Sequence, residues 1–173
     1  MLEARKYAFD WNLLGDLEVG RPNLGPLTSV KNYRLMQFCL RDVLEQHIGS
    51  DAADAVFYDA GKLAGRFFAE ELIGPVASFS EFIQKLTSAL AEQTVGILRV
   101  EQADDDGSHF VLTVSEDLDC SGLPISGYEV CVYDEGFIAA LLEWGTGSPY
   151  AVKEVDCWCT GDRTCRFEAR AVA

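Results

Sequence analysis

The sequence predicts an α/β chain of the α+β kind, with an antiparallel sheet of about four strands and helices packed against it. Three observations carry this expectation. Apolar residues recur at helical spacing from Thr28 to Ile73, a strand-like pair flanks Asp104-Asp105-Asp106-Gly107, and a second such pair flanks Thr160-Gly161-Asp162-Arg163 after another helical stretch. Each hairpin is local, so the helix between them must cross a face of the sheet.

Taken in order, residues 1–27 read as an N-terminal arm. Phe9, Trp11, Leu13 and Leu14 are followed by Gly20-Arg21-Pro22-Asn23-Leu24-Gly25-Pro26, whose glycines and prolines forbid a continuous element. Residues 28–173 read as a single domain, because a chain of 173 residues is long enough for one well-buried core and too short for two ordinary ones. A first helix begins at Thr28, carries Val30, Tyr33, Leu35, Phe38, Cys39, Val43 and Leu44, and can stop at Gly49. A second, alanine-rich helix runs from Ser50 or Asp51 to about Ile73. On it Gly61 and Gly65 lie four apart on one face, where small residues let another element approach closely. Ser78 or Ser80 caps a third helix, Phe82 to about Gln93, with Glu81 well placed in its first turn.

Ile97–Glu101 and Phe110–Val114 then form the first hairpin. Its three aspartates lack the twelve-residue calcium loop with a terminal glutamate, and read as a solvated turn. A fourth helix over Tyr133–Trp144 is ended by Gly145, Gly147 and Pro149. The strands Tyr150–Val155 and Cys165–Ala169 make the last hairpin.

Composition bounds the function. With 49% hydrophobic and 24% charged residues the chain is globular in character, and 14 Lys+Arg against 28 Asp+Glu give a net charge of −14. Such a charge repels a phosphate backbone and anionic lipid headgroups, which argues against nucleic acid as a partner. No stretch approaches the roughly 20 apolar residues of a membrane-spanning helix, and Met1-Leu2-Glu3-Ala4-Arg5-Lys6 lacks the apolar core of a signal peptide. A cytoplasmic location without a transmembrane segment is the expectation.

The cysteines carry the strongest chemical signal. Three of the six lie between Cys157 and Cys165 and a fourth is Cys131, a clustering that favours metal or thiol chemistry over a disulfide framework. Glu154 and Cys157 end one strand and Cys165 opens the next, so the hairpin can gather all three side chains, and Cys131 completes a tetrahedral set. Thiolate sulfur is a natural ligand for zinc, with a carboxylate oxygen a less common fourth partner. The same residues also permit a plain reading, with the cysteines as small buried hydrophobes and Glu154 facing solvent. Cys159 either replaces Glu154 or, by strand alternation, points to the opposite face.

Cys131, Gly136 with the helix after it, Pro149, Glu154-Val155-Asp156-Cys157 and Gly161-Asp162-Arg163-Thr164-Cys165-Arg166-Phe167 together resemble the 4-vinyl reductase-type domain, also called the hydrocarbon-binding domain. That family supplies the sensor module of phenol-responsive bacterial regulators. The resemblance implies a structural Zn(II) held by Cys131, Glu154, Cys157 and Cys165. It also implies the fold of a vesicle-tethering complex subunit and of nitric-oxide-sensing domains, and a homodimer. Without the ATPase and DNA-binding segments of the regulators, the chain is expected to resemble the stand-alone members.

The function so implied is a zinc-containing binding protein for a small hydrophobic or aromatic ligand, a tetrapyrrole or its precursor being one candidate, linked to (bacterio)chlorophyll metabolism or photosystem assembly. Phe67, Phe82, Phe110 and Phe137 are the candidate pocket residues, among aromatics that equally serve as core. The alternative is a scaffold or assembly factor that binds a protein partner. A vinyl-tetrapyrrole reductase ranks last, because the sequence has no G-x-G-x-x-G or G-x-x-x-x-G-K-[ST] fingerprint and offers just two histidines. His47 reads as a helix C-terminal residue and His109 as a surface residue at a strand start.

Overall fold

The computed structural model describes residues 6–172, which divide after Phe38 into two compact units. In the first, Asp10 caps a 3-10 turn over Trp11–Leu14 and Asp16 caps the short helix α1 (Leu17–Gly20), each carboxylate accepting a backbone N–H from the turn that follows. Helix α2 (Val30–Ile48) begins in this unit and ends in the second.

The second unit continues with α3 (Ser50–Phe68), α4 (Phe79–Glu92), β1 (Ile97–Ala103), β2 (His109–Ser115), α5 (Val132–Thr146), β3 (Tyr150–Asp156) and β4 (Cys165–Ala171). The expected α+β architecture and four-stranded antiparallel sheet are borne out. Strand order is β1-β2-β4-β3, so β4 returns from the second hairpin to lie beside β2 in the interior of the sheet. Alternation gives each strand one buried face. Phe110, Leu112 and Val114 of β2 sit opposite Ala169, Phe167 and Cys165 of β4, and β3 adds Tyr150, Val152 and Glu154 to the same face. Glu154 therefore lies in a core row and not on the solvent side.

Helix α5 covers that face and is buried continuously from Glu135 to Leu142. A helix hidden all round needs neighbours on every side. Helix α3 supplies one of them at backbone distance. A Cβ placed on Gly61 would fall on the Tyr133 carbonyl, one on Gly65 on the Phe137 carbonyl, and one on Gly136 on the Tyr58 carbonyl. The close approach expected at Gly61 and Gly65 is thus met, with Gly136 as its counterpart on the other helix.

Two helix ends differ from the expected ones for identifiable reasons. Helix α3 stops at Phe68 and widens into a π turn over Ala69–Ile73, closed by Gly74, whose N–H bonds the Ala69 carbonyl at 2.9 Å. Helix α4 starts at Phe79, earlier than Phe82, because Ser78 accepts the Glu81 N–H at 3.2 Å while the Glu81 carboxylate accepts the Ala77 N–H at 2.8 Å. No helix among the described residues is long and apolar enough to cross a membrane.

The α3–α5 contact gives a direct test. Gly136→Ala should lose about 3 kcal/mol or more in urea unfolding, because backbone must move to admit the methyl group. Gly20→Ala, with open space around it, should shift stability by less than about 0.5 kcal/mol.

Candidate metal centre and adjoining cavity

Four cysteines arrive at one point from four separate places in the chain. Cys131 precedes the first turn of α5, Cys157 follows the end of β3, Cys165 opens β4, and Cys120 comes from the connection between β2 and α5. All four are buried, and their sulfurs lie within 4.8 Å of one another. Cys131 Sγ is 4.0 Å from the sulfurs of both Cys157 and Cys165, and Cys120 Sγ is 3.0 Å from that of Cys165. No disulfide links them. Such a cluster can hold a metal ion.

The local chain explains the convergence. A bulge at Val155 shifts the β3 register between Glu154 and Asp156, after which Cys157 caps a 3-10 turn over Trp158–Thr160. The Cys159 N–H points at Cys157 Sγ at 3.4 Å, and the Cys157 N–H donates to Thr160 Oγ1 at 3.1 Å. The connection holding Cys120 has no regular structure of its own, yet it is pinned at several points. Trp158 Nε1 donates to the Leu123 carbonyl at 3.0 Å, while the N–H groups of Ser126 and Gly127 donate to the Cys159 carbonyl at 2.9 and 3.0 Å.

The sequence-derived residues fall as follows. Cys131, Cys157 and Cys165 are brought together. Glu154 lies beside them, 2% exposed, with one carboxylate oxygen accepting the Cys131 N–H at 3.1 Å and the other, Oε1, buried without a hydrogen-bond partner. Burial foremost, and then the negative charge of Cys157, push its carboxyl up to about 8. Cys159 is buried outside the four-sulfur group. Cys120 was not singled out by spacing, because its loop gives no periodic signal to aim its side chain. Its neighbours Asp117 and Asp119 are the available sign, an acidic run that is buried and not solvated.

The thiols are not equivalent. Hydrogen bonds from Cys120, Cys131 and Cys165 hold the Cys157 thiol well below the ordinary range, and those same contacts raise Cys131. A cation among the sulfurs would favour ionisation of the remaining thiols.

A narrow apolar cavity of about 30 Å³ adjoins the cluster. Its walls are Ile83, Leu86 and Leu90 of α4, Leu98, Leu112 and Val114 of the sheet, and Phe137, Ile138, Leu141 and Leu142 of α5, and its polar groups are Asp117 and Asp134. Of the four candidate pocket residues, Phe137 lines it. Phe82 and Phe110 are core residues packed against Phe79, with ring centroids at 5.8 and 5.0 Å, and Phe67 is partly buried beneath the Arg66 guanidinium. Burial, then the charge of Asp119, push the Asp117 carboxyl up to about 7, and burial with Asp119 and Asp117 raises Asp134 well above its ordinary value. Of the histidines, His47 is exposed in the last turn of α2, and His109 opens β2 with Nδ1 4.0 Å from Asp104 Oδ2.

Comparison with known proteins places these features. Residues 110–171, from the start of β2 to the end of β4, match the family model of the 4-vinyl reductase domain. The resemblance to that family read from the C-terminal third is thereby borne out. An uncharacterized protein of Methanocaldococcus jannaschii is 27% identical over 149 residues, covering 86% of this chain and 81% of its own. Among solved structures, the phenol-responsive sensory domain of the transcription activator PoxR with phenol is similar at a TM-score of 0.65 and 16% identity, over 84% of this chain and 76% of that one. Trafficking protein particle complex subunit 3 from Naegleria fowleri, covalently bound to palmitic acid, gives 0.60 at 13% identity, over 84% and 98%. An H-NOX protein from S. oneidensis gives 0.55 at 15%, over 94% and 88%. At these identities the structural likeness shows the fold, and it is the fold that the resemblance implied.

Burial predicts how the thiols react. In native protein one cysteine, the exposed Cys39, should react rapidly with an aromatic disulfide reagent. All six should react once the chain is unfolded. A second fast thiol in the native state would contradict the buried cluster.

Proposed function

We propose that this chain binds a small hydrophobic molecule in the cavity between α4, the sheet and α5, and that a structural zinc ion at the thiol cluster fixes one end of that site. The observation that carries the reading is the meeting, at the N-terminal end of α5, of an apolar cavity with four buried sulfurs. The family match and the fold shared with a phenol-binding sensory domain support the ligand class.

The donor set fits zinc. A tetrahedron with Zn–S bonds of about 2.3 Å has sulfur–sulfur edges of about 3.8 Å, close to the 4.0 Å separations of Cys131 from Cys157 and Cys165. Zinc, when bound, supplies the positive charge that buried thiolates need. Two residues compete for the fourth place: Cys120, whose sulfur lies 3.0 Å from that of Cys165 and so inside such an edge, and Glu154, whose Oε1 has no partner and which the family resemblance implies. In either arrangement the protein supplies all four ligands, which makes the role structural and not catalytic.

Cavity size bears on the ligand. An apolar cavity of about 150 Å³ accommodates benzene, so the cavity of about 30 Å³ must widen even for a single ring. This weighs towards a one-ring ligand over a tetrapyrrole, and with it against the (bacterio)chlorophyll and photosystem link and a vinyl-reductase activity. Helix α4 is the wall suited to move, since it meets the cavity through the long side chains of Ile83, Leu86 and Leu90, whereas α5 is locked to α3 by backbone contact.

A second reading rests on a separate observation. Leu40, Val43 and Ile48 of α2 and Val56 and Leu63 of α3 are exposed apolar side chains, and such side chains favour an interface, with a second copy of the chain as its simplest occupant and a scaffolding partner as the other.

Native mass spectrometry with metal analysis tests both readings. A dimer with one zinc per chain and an added organic mass is the expected result. Absence of zinc from freshly purified protein would remove the structural half of the proposal. Cys157→Ser and Cys165→Ser should each lose stoichiometric zinc and lower Tm by about 10 °C, and a variant melting like the parent would count against it. Comparing Cys120→Ser with Glu154→Gln identifies the fourth ligand as the one whose loss lowers zinc affinity.

A further inference from the structure

The sulfur cluster offers more donors than one four-coordinate ion uses. Cys120, Cys131, Cys157 and Cys165 converge there, and Glu154 adds a further buried group whose Oε1 has no partner. Cys165 belongs to both candidate ligand sets, the one completed by Cys120 and the one completed by Glu154. The sulfurs are also unequally spaced. Cys131 Sγ stands 4.0 Å from those of Cys157 and Cys165, which suits sulfurs around a shared ion, whereas Cys120 Sγ is 3.0 Å from that of Cys165. Two sulfurs that close need approach by only about 1 Å more to reach the covalent distance of about 2.05 Å.

The elements that carry this pair allow the approach. Cys165 opens β4 and is fixed there by its pairing with Val114 of β2. Cys120 stands on the irregular connection 116–131, where no helix or strand ladder resists a small shift. Cys131 and Cys157, by contrast, are held at the start of α5 and at the cap of a 3-10 turn. The interior also tolerates an oxidised pair without a metal. The buried charged side chains among the described residues are all acids, Asp117, Asp119, Glu135 and Glu154, so thiolates without a metal ion would lack a buried counter-charge. A disulfide carries no charge.

Resting on the metal-site reading above, we infer that Cys120 and Cys165 form a redox-active pair, closed to a disulfide by hydrogen peroxide, and that the closed pair excludes the metal. The class of oxidant follows from burial, since all four sulfurs are covered and the oxidant must be small. One sulfur of the pair attacks the peroxide, so that an S–O bond forms, the O–O bond breaks and a first water leaves. The second sulfur then attacks the first, so that the S–S bond forms, the S–O bond breaks and a second water leaves. The pair gives up two electrons, the peroxide takes them, and both thiol protons end in water. Where the pair starts as metal-bound thiolates, the two waters take those protons from solvent, and Cys165 is lost to either ligand set. A thiol reductant returns both cysteines by exchange and is itself oxidised to a disulfide. Metal content of the cluster thereby follows the level of oxidant.

The test uses the full, zinc-loaded chain carrying Cys39→Ser, which removes the exposed thiol and with it bridges between molecules. After hydrogen peroxide, released zinc is read with a chromogenic chelator, and fragments from trypsin with a glutamate-specific protease are mass-analysed without reduction. Cuts after Glu116, Glu129, Glu135, Glu154, Arg163 and Arg166 put Cys120, Cys131, Cys157 and Cys165 in separate fragments. One link between the Cys120 and Cys165 fragments is expected, with zinc released in proportion to it. Dithiothreitol with added zinc should restore both thiols and the metal, and Cys120→Ser should form no disulfide at Cys165. Peroxide that leaves Cys120 and Cys165 unlinked, joins Cys165 to Cys131 or Cys157 instead, or links the pair while zinc stays bound would overturn the inference. A chain that holds no zinc before treatment would overturn the metal-site reading, and there the linked fragments still decide whether the pair exists. The fragment map of the parent sequence at these positions stands even where the serine variant does not fold.

Discussion

The backbone contact between α3 and α5 is the constraint on which the rest depends. Gly61 and Gly65 on one helix and Gly136 on the other remove the side chains that would hold the two apart, so carbonyl oxygens of each helix sit where a Cβ would otherwise be. With α5 fixed along that seam, its N-terminal end cannot slide or rotate relative to the sheet. Cys131, Asp134, Glu135 and Phe137, which occupy that end, are then delivered to the sulfur cluster, the cavity head, β3 and the cavity wall respectively. Glu135 secures the joint to β3, its Oε1 accepting both the Glu154 N–H at 2.9 Å and the Lys153 ammonium at 2.8 Å.

The sulfur cluster solves a different problem, that of ordering a long irregular connection. Residues 116–131 have no helix or strand among them, and such a segment carries a large entropic cost on folding. Backbone hydrogen bonds to Cys159 and the Trp158 ring nitrogen fix part of it, and Cys120 inserts its sulfur among three others from elements already in place. Because these cysteines come from both sides of the connection, a metal bound among them would close the site and order the loop in one event.

Much of the fold was legible in sequence because periodicity and turn chemistry agree along most of the chain. The two hairpins follow from alternation around Asp104–Gly107 and Thr160–Arg163, and the helices from apolar spacing, with boundaries that shift where a cap outweighs the apolar pattern, as Ser78 and Glu81 do at α4. The order β1-β2-β4-β3 was not legible, since pairing between β2 and β4 depends on α5 crossing the sheet and not on local sequence. Within the site, Cys131, Cys157 and Cys165 were legible from clustering. Cys120 was not, because an irregular loop imposes no period, and neither were Asp117 and Asp134. An aspartate in the first turn of a helix has the same sequence appearance whether it faces solvent or closes a cavity, and the difference arises from what the sheet and α4 place opposite it.

The cavity and the sulfur cluster share atoms of the same short segments, and this makes them one unit in energetic terms. Asp117 closes the cavity and accepts the N–H of Cys120, and Asp134 lies one helical turn beyond Cys131 on α5. A group bound at that end of the cavity would act on the start of α5, and a cation among the sulfurs would act on the same start from the other side. Linkage requires that any such influence be mutual, with the free energy by which one occupant favours the other equal in both directions. Helix α4 forms the remaining wall, and its Phe82 ring packs where a Cβ on Gly145 of α5 would lie. Two helices locked backbone to backbone thus hold the polar end of the cavity, and α4 closes its apolar side through Ile83, Leu86 and Leu90.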